Sequence, residues 1–362
     1  MNLPTRGGAP TRADGDEGAP WACYRGGVTT LLMRALTRML VSAPLAGRLG
    51  RRRQQGADAA LDPQVAVLLE LQRRGRYRRL ETLPPAQARR YGARALAPME
   101  VALAPLARVI DTEVPGPAGA LPVRLYVPTG AGPHWLVYFH GGGGVIGSIG
   151  TAEPFARLLA AQTGCTVASV EYRLGPEHPH PAAIDDACAA WDALVTRVPA
   201  GGKAGVGGDS FGGFLASHVD RHGRRPGNRP PDLQLLIYPA ADLTLTSPSI
   251  TRLGEGYLLS QALIRWFVDH YFRPTDDRIA PSPARWADHV GAAPAIVVTA
   301  GYDPLVDDGD ALAAQLAAAG VPVRHRRHPG LIHGFTSVAG VVTAARRAID
   351  EMCADVMAVL AS

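Results

Sequence analysis

With 362 residues, 47% hydrophobic and 19% charged side chains, the chain has apolar material for one large domain plus an appendage, and disorder of the whole is excluded. Much of the net charge of +5 comes from arginines in the first hundred residues, such as "RRR" at 51–53 and "RRGRYRR" at 73–79, but no recognised nucleic-acid-binding motif accompanies them. Cys23, Cys165, Cys188 and Cys353 are widely spaced with no C-x-x-C pair, which argues against a disulfide framework or zinc ribbon and for a reducing, cytoplasmic compartment.

Residues 1–22 are rich in Gly, Pro and charge, have little to bury and read as a disordered tail. Residues 23–57 read as a basic, amphipathic helical extension. Its apolar stretch from Val28 to Leu49 is interrupted by Arg34, Arg38 and Arg48 and broken by Pro44, short of the ~20 apolar residues of a membrane-spanning helix. The acidic residues Asp14, Asp16 and Glu17 ahead of it are wrong for a secretory signal. The extension therefore packs on the body of the protein or rests on a membrane surface through residues 28–49. Helical spacing continues over 58–107. In "LDPQVAVLLELQ" Asp62 is placed to cap and Pro63 to occupy the first turn, and "PPAQARRYGARALAPM" repeats the periodicity.

From residue 108 the texture changes. "ARVIDTEVPG" and "LPVRLYVP" predict a hairpin. The runs "WLVYFH", "CTVASVEY", "AGVGG", "LQLLIYP", "AIVVTAG" and "VPVRHRRH" then mostly alternate with helical stretches, which predicts a largely parallel sheet covered on both faces. A last helix carries Ala345, Ala348, Ile349, Met352, Val356 and Val359 on one stripe and closes the sheet.

"GVGGDSFGG" at 205–213 ends one such strand and opens a helix, with Ser210 on the turn between Gly208 and Gly212. That turn strains the serine backbone, pushes its hydroxyl outward and aims the positive end of the next helix at the same spot. "HGGGG" at 140–144 follows the strand "WLVYF", so the amides of Gly142 and Gly143, with that of Phe211, can face a carbonyl oxygen turning negative. A serine hydroxyl needs a base, and the base needs an orienting acid. His333 lies in a loop after the last strand, and Asp303 just past the strand before it. Asp307, Asp308 and Asp310 fall in the helix that follows and read as solvated or capping, while His325 and His328, set among arginines, read as a solvated edge. The two histidines of "EHPHP", His178 and His180, have no third ligand nearby, so no metal and no cofactor is expected.

Together "HGGG" (140–143), "YRLGPEHPHPAA" (172–183), "GDSFGG" (208–213), "DPL" (303–305) and "HGF" (333–335) resemble, in order and spacing, the hormone-sensitive-lipase-like serine esterases, or bacterial family IV. The resemblance covers roughly residues 60 to 360. It implies an α/β-hydrolase fold: a mostly parallel eight-stranded sheet with helices on both faces, formed by residues 108–362. It also implies a helical cap, built from residues 58–107 and a segment about 243–273. It gives Ser210, Asp303 and His333 the catalytic roles and puts Gly144, Val145, Phe211 and Tyr257 at the substrate pocket. Gly144 stands where relatives usually carry an aromatic residue, and Phe211 where alanine or serine is commoner. Gly175 and His180 replace the usual alanine and phenylalanine of their motif. Gly144 is expected to widen the pocket and Phe211 to narrow it beside the acyl carbon. The expected activity is hydrolysis of short- to medium-chain acyl esters through an acyl-enzyme. The alternatives are a small-molecule amidase or deacetylase with the same triad, and a non-catalytic ligand-binding protein, against which the presence of His333 argues. The expected partner is a small-molecule ester, and a homodimer is left open.

Overall fold

The computed structural model describes Val41 and residues 60–362 except Arg76. The tail at 1–22 and, apart from Val41, the extension at 23–57 lie outside the described residues, and with them the expected membrane-surface contact through residues 28–49.

Alternation along the strands decides the architecture. In β3 (Trp135–Phe139) Leu136 and Tyr138 join one apolar cluster, and Val137 and Phe139 the other. The same division runs through β6 (Leu233–Ile237) and β7 (Ala295–Tyr302). Strands that are apolar on both sides require cover on both faces. One face packs on α3 (Ile149–Thr163) and α9 (Thr343–Ala361), whose cluster also takes in Val65 to Leu69 of α1 (Pro63–Arg74). The other packs on α4 (Ala182–Val195), α5 (Phe211–Gly223) and α8 (Val306–Ala318). The remaining strands are β1 (Arg108–Gly116), β2 (Gly119–Val127), β4 (Thr166–Val170), β5 (Ala204–Asp209) and β8 (Val323–Ile332).

The eight strands run in the order β1-β2-β4-β3-β5-β6-β7-β8. β1 and β2 form the expected hairpin, paired from Arg108 with Val127 to Gly116 with Gly119, and β2 also runs antiparallel to β4. All other pairings are parallel. The α1 start follows its capping signal: Asp62 Oδ1 accepts the amides of Gln64 at 2.8 Å and Val65 at 3.2 Å, with Pro63 in the first turn.

A cavity of about 560 Å³ lies at the carboxyl ends of β3, β5 and β8. Over it stand α2 (Pro85–Leu96) and the segment with α6 (Pro248–Arg252) and α7 (Gln261–Tyr271), within the stretches expected to form a cap. The latter is anchored on the start of α8. The Ser249 amide donates to Asp307 Oδ2 at 2.9 Å, its hydroxyl to the Pro304 carbonyl at 2.6 Å, and Arg252 pairs with Asp307 at 2.9 Å. Asp307 thus caps, as its position suggests. Asp308 does not fit the solvated reading: it is 1% exposed, takes the Ser247 hydroxyl on Oδ1 and has no partner on Oδ2. His328 departs likewise, half-buried with its ring 5.9 Å from that of Phe335, whereas His325 is exposed on β8 and pairs with Asp310.

Burial, aided by the nearby carboxylates of Asp242, Asp303 and Asp307, pushes Asp308 up to about 7 from 3.8. The folded chain therefore keeps a proton that the unfolded chain releases, and stability falls as pH rises from about 4 to about 7. Asp308→Asn removes this term. Its stability relative to the parent is expected to improve between pH 5 and pH 8 by on the order of 2 kcal/mol. Denaturant unfolding at the two pH values checks this, and an unchanged difference would refute it.

Candidate active site

Ser210 sits between β5 and α5 with φ 54° and ψ −114°, a strained conformation for any residue with a side chain. Neighbours hold it there. Its amide donates to the Ile237 carbonyl at 2.8 Å, and its carbonyl accepts the amides of Gly213 at 3.0 Å and Ala240 at 3.1 Å. The flanking glycines follow from the crossing of α5 over the sheet. A Cβ on Gly212 would lie 1.9 Å from the Phe139 carbonyl oxygen, and one on Gly208 would lie 2.3 Å from the Gly212 carbonyl carbon.

The structure brings the three expected side chains together. Ser210 Oγ donates to His333 Nε2 at 2.9 Å, and His333 Nδ1 donates to Asp303 Oδ2 at 2.7 Å. Asp303 is buried, and its other oxygen accepts the Leu305 amide at 2.8 Å. A carboxylate facing Nδ1 fixes the tautomer that leaves Nε2 free to accept a proton. The His333 ring also rests 4.8 Å from that of Tyr238, whose hydroxyl bonds to Thr336 Oγ1. Sequence reasoning missed Tyr238. Its one local signal is the position immediately after β6.

Gly142, Gly143 and Gly144 have φ of 117°, 62° and 72°, a run of left-handed residues that only glycine adopts without strain. The amides of Gly142, Gly143 and Phe211 donate to no acceptor among the described residues, and all three residues line the cavity with Ser210. Asp209 ties this loop to the serine turn. Half-buried beside Ser210, it accepts the Tyr138 hydroxyl and the Gly141 amide, the latter at 2.9 Å, and loss of solvation raises it above the ordinary carboxylate range. The motif histidine, His140, is a poor base. Burial lowers it to about 4, its Nδ1 meets the Gly141 carbonyl at 2.8 Å, and its ring stacks 4.3 Å from Tyr172.

Of the expected pocket residues, Phe211 and Tyr257 line the cavity, but Gly144 and Val145 do not. Val145 is fully buried in the core. Nor does Gly144 widen the pocket: a Cβ there would lie 2.8 Å from Phe211 Cζ and 2.9 Å from Tyr271 Cδ2, so the space is already taken. The Phe211 ring is 2% exposed and packs 4.9 Å from that of Phe214 and 4.8 Å from that of Tyr271. Phe267 of α7 lies directly on the glycine loop, its ring 2.2 Å from where a Gly143 Cβ would stand. In the "EHPHP" loop, His180 packs on Phe272 with ring centroids 4.9 Å apart. No group of three or more His, Cys, Asp or Glu among the described residues could hold a metal.

Strand order, helical cover and a Ser–His–Asp chain of hydrogen bonds at the carboxyl ends of the strands define an α/β hydrolase. A family model described as an alpha/beta hydrolase fold matches residues 136–337, over half of the chain, and the chain belongs to that family, on its hormone-sensitive-lipase-like esterase branch. The carboxylic ester hydrolase LipN of Mycobacterium tuberculosis is 40% identical over 64% of this chain; the match spans 65% of LipN, just under two thirds of its length. An ethyl acetate hydrolase of Pseudomonas putida is 38% identical over 61% of this chain and 73% of its own. Among solved structures, an ester hydrolase from the metagenome of Lake Arreo, complexed with a bipyridine phosphonate derivative, superposes with a TM-score of 0.79 at 38% identity, covering 83% of this chain and all of that one.

Gly212→Ala would have to displace the Phe139 carbonyl or the start of α5 by more than an ångström. Misplacements of that size cost on the order of a hundredfold in rate, and that loss of ester turnover is expected of the folded variant. Turnover like the parent's would contradict the close crossing.

Proposed function

We propose that this serine carboxylesterase hydrolyses short- to medium-chain acyl esters of small molecules, with Ser210 as nucleophile, His333 as general base and acid, and Asp303 as its orienting partner. The observation that carries the reading is the unbroken path Ser210 Oγ to His333 to buried Asp303. As Ser210 Oγ attacks the acyl carbon, its proton passes to His333 Nε2, and Asp303 stabilises the imidazolium. Negative charge on the former carbonyl oxygen is met by the amides of Gly142, Gly143 and Phe211, aided by the positive end of α5. The imidazolium then protonates the departing alcohol. A water, deprotonated by the same imidazole, attacks the acyl-enzyme, and His333 returns the proton to Ser210 as the acid leaves.

The acyl range follows from the enclosure. Leu243, Leu245, Leu259, Leu263 and Phe267 wall the cavity beneath α2 and α7, which favours a single dissolved ester over an oil surface. The ethyl acetate activity named for one relative supports the short end of the range. The buried free thiols Cys165 and Cys353 support a reducing, cytoplasmic setting.

A p-nitrophenyl ester series is expected to peak between about two and eight acyl carbons, since each methylene left unburied forgoes ~0.8 kcal/mol. A peak above about ten carbons overturns the acyl range. An organophosphate is expected to inactivate the enzyme with one adduct per chain, found on Ser210 by peptide mass mapping. Ser210→Ala is expected to lose about 10⁴-fold or more in kcat. An adduct elsewhere with full inactivation, or a Ser210→Ala variant that keeps its rate, overturns the assignment.

A further inference from the structure

The guanidinium of Arg89 on α2 makes four hydrogen bonds, to Val145 just after the glycine loop and to Gly175 and the exposed Glu177 in the loop after β4. Nε donates to the Val145 carbonyl at 2.8 Å and Nη2 to the Gly175 carbonyl at 2.8 Å. Nη1 and Nη2 also grip the two oxygens of Glu177 at 3.0 and 2.6 Å. Val145 directly follows the glycine loop, and its amide, with that of Ile146, donates to the Gly142 carbonyl at 3.0 and 2.9 Å. The Gly144 carbonyl accepts the Gly175 amide at 2.8 Å, so the second loop gripped by Arg89 also braces the first. The Gly142 carbonyl and the Gly143 amide share one planar peptide unit, and whatever fixes the one aims the other.

We propose that Arg89 is a positioning residue for the oxyanion amides: seated with α2, it pins Val145, and through Val145 sets the Gly142–Gly143 peptide plane and the direction of the Gly143 N–H. The inference rests on the esterase reading above. It makes the cap part of the catalytic geometry as well as its roof, because withdrawing α2 withdraws the donor that braces the loop. Arginine is required. Three acceptors in different directions match a rigid planar fork, which the single ammonium of lysine does not reproduce. Glu177 holds the fork in register, and the guanidinium in turn holds that carboxyl below the ordinary range.

The test compares the full-length parent with Arg89→Ala, Arg89→Lys and, as a control, the exposed Arg90→Ala on the same helix. Steady-state hydrolysis of p-nitrophenyl acetate is measured alongside second-order inactivation by diethyl p-nitrophenyl phosphate, which needs the same amides. Removing one oxyanion donor costs about 10²–10³ in kcat, and misaiming one is expected to cost about 10- to 100-fold. Arg89→Ala is expected to show that loss in kcat with KM changed less than about threefold, and an equal loss in the inactivation rate. The acid limb of the pH profile should stay in place, millimolar guanidinium should restore part of the rate, and Arg89→Lys should recover less than about a tenth of it. Arg90→Ala should match the parent. A lowered melting temperature with parent-like kcat and inactivation rate overturns the proposal and leaves Arg89 a structural residue. Should Arg89→Ala not fold, Glu177→Gln, which loosens the grip, is expected to lower kcat about two- to fivefold at unchanged KM, and a parent-like kcat there overturns the proposal equally. A parent that neither hydrolyses the ester nor takes up the phosphoryl group overturns the esterase reading and this inference with it.

Discussion

Among the glycines of the described residues, the tightest position is where α5 crosses the end of β3: a single methyl group on Gly212 would meet the Phe139 carbonyl oxygen at 1.9 Å. The chain must reverse from β5 into α5 within one residue, and that residue is Ser210, held at positive φ by hydrogen bonds from both directions. The strain of that backbone is sustained by β3, β5 and β6 packed side by side around it. Once the turn is made, the serine hydroxyl has no fold of its own chain to retreat into, and the first amides of α5 open beside it.

The parallel sheet then delivers the other parts. β3, β7 and β8 end at the same edge, so the glycine loop, Asp303 and His333 arrive from three separate loops without any of them being long. Two polar links turn this meeting into a fixed geometry. Asp209 joins the serine turn to the glycine loop through Tyr138 and Gly141, and Tyr238 with Thr336 backs the imidazole. Both links are hydrogen-bonded and largely shielded from water, where an unpaired partner is costly, so each resists displacement of the loop it anchors.

What the sequence made legible was whatever lies in short contiguous runs. Strand alternation, the Asp62 cap, the serine turn and the glycine loop each depend on a few neighbouring residues, and spacing alone recovers them. Ser210, His333 and Asp303 were found for the same reason, each sitting in a motif of its own. The missed features join residues far apart in the chain. Arg89 meets Glu177 across 88 residues, and Tyr238 meets Thr336 across 98. Asp308 and His328 were misread because a helix or strand period says which face a residue occupies, not whether that face is covered by a later segment. The cover on Asp308 comes from Ser247, about sixty residues earlier in the chain.

The two departures flanking the serine, at 144 and 211, turn out to be one. Read separately, a glycine for an aromatic and a phenylalanine for a small residue pull the pocket in opposite directions. In the structure the Phe211 ring stands where a residue 144 side chain would begin, against Tyr271, and its 2% exposure puts it in the core more than in the cavity. Close packing permits an aromatic group at one of these positions and forbids it at both. The exchange conserves volume behind the oxyanion loop and leaves the width of the cavity to other residues. Phe267 is one of these: its ring rests on Gly143, and Leu263, Ile264 and Val268 of the same helix also line the cavity. Under the proposed function, acyl selectivity rests on α7 and on α2, the helix whose Arg89 bonds to the Val145 carbonyl beside the glycine loop. On that proposal, substrate fit and the aim of the loop amides depend together on how α2 and α7 sit over one short run of glycines.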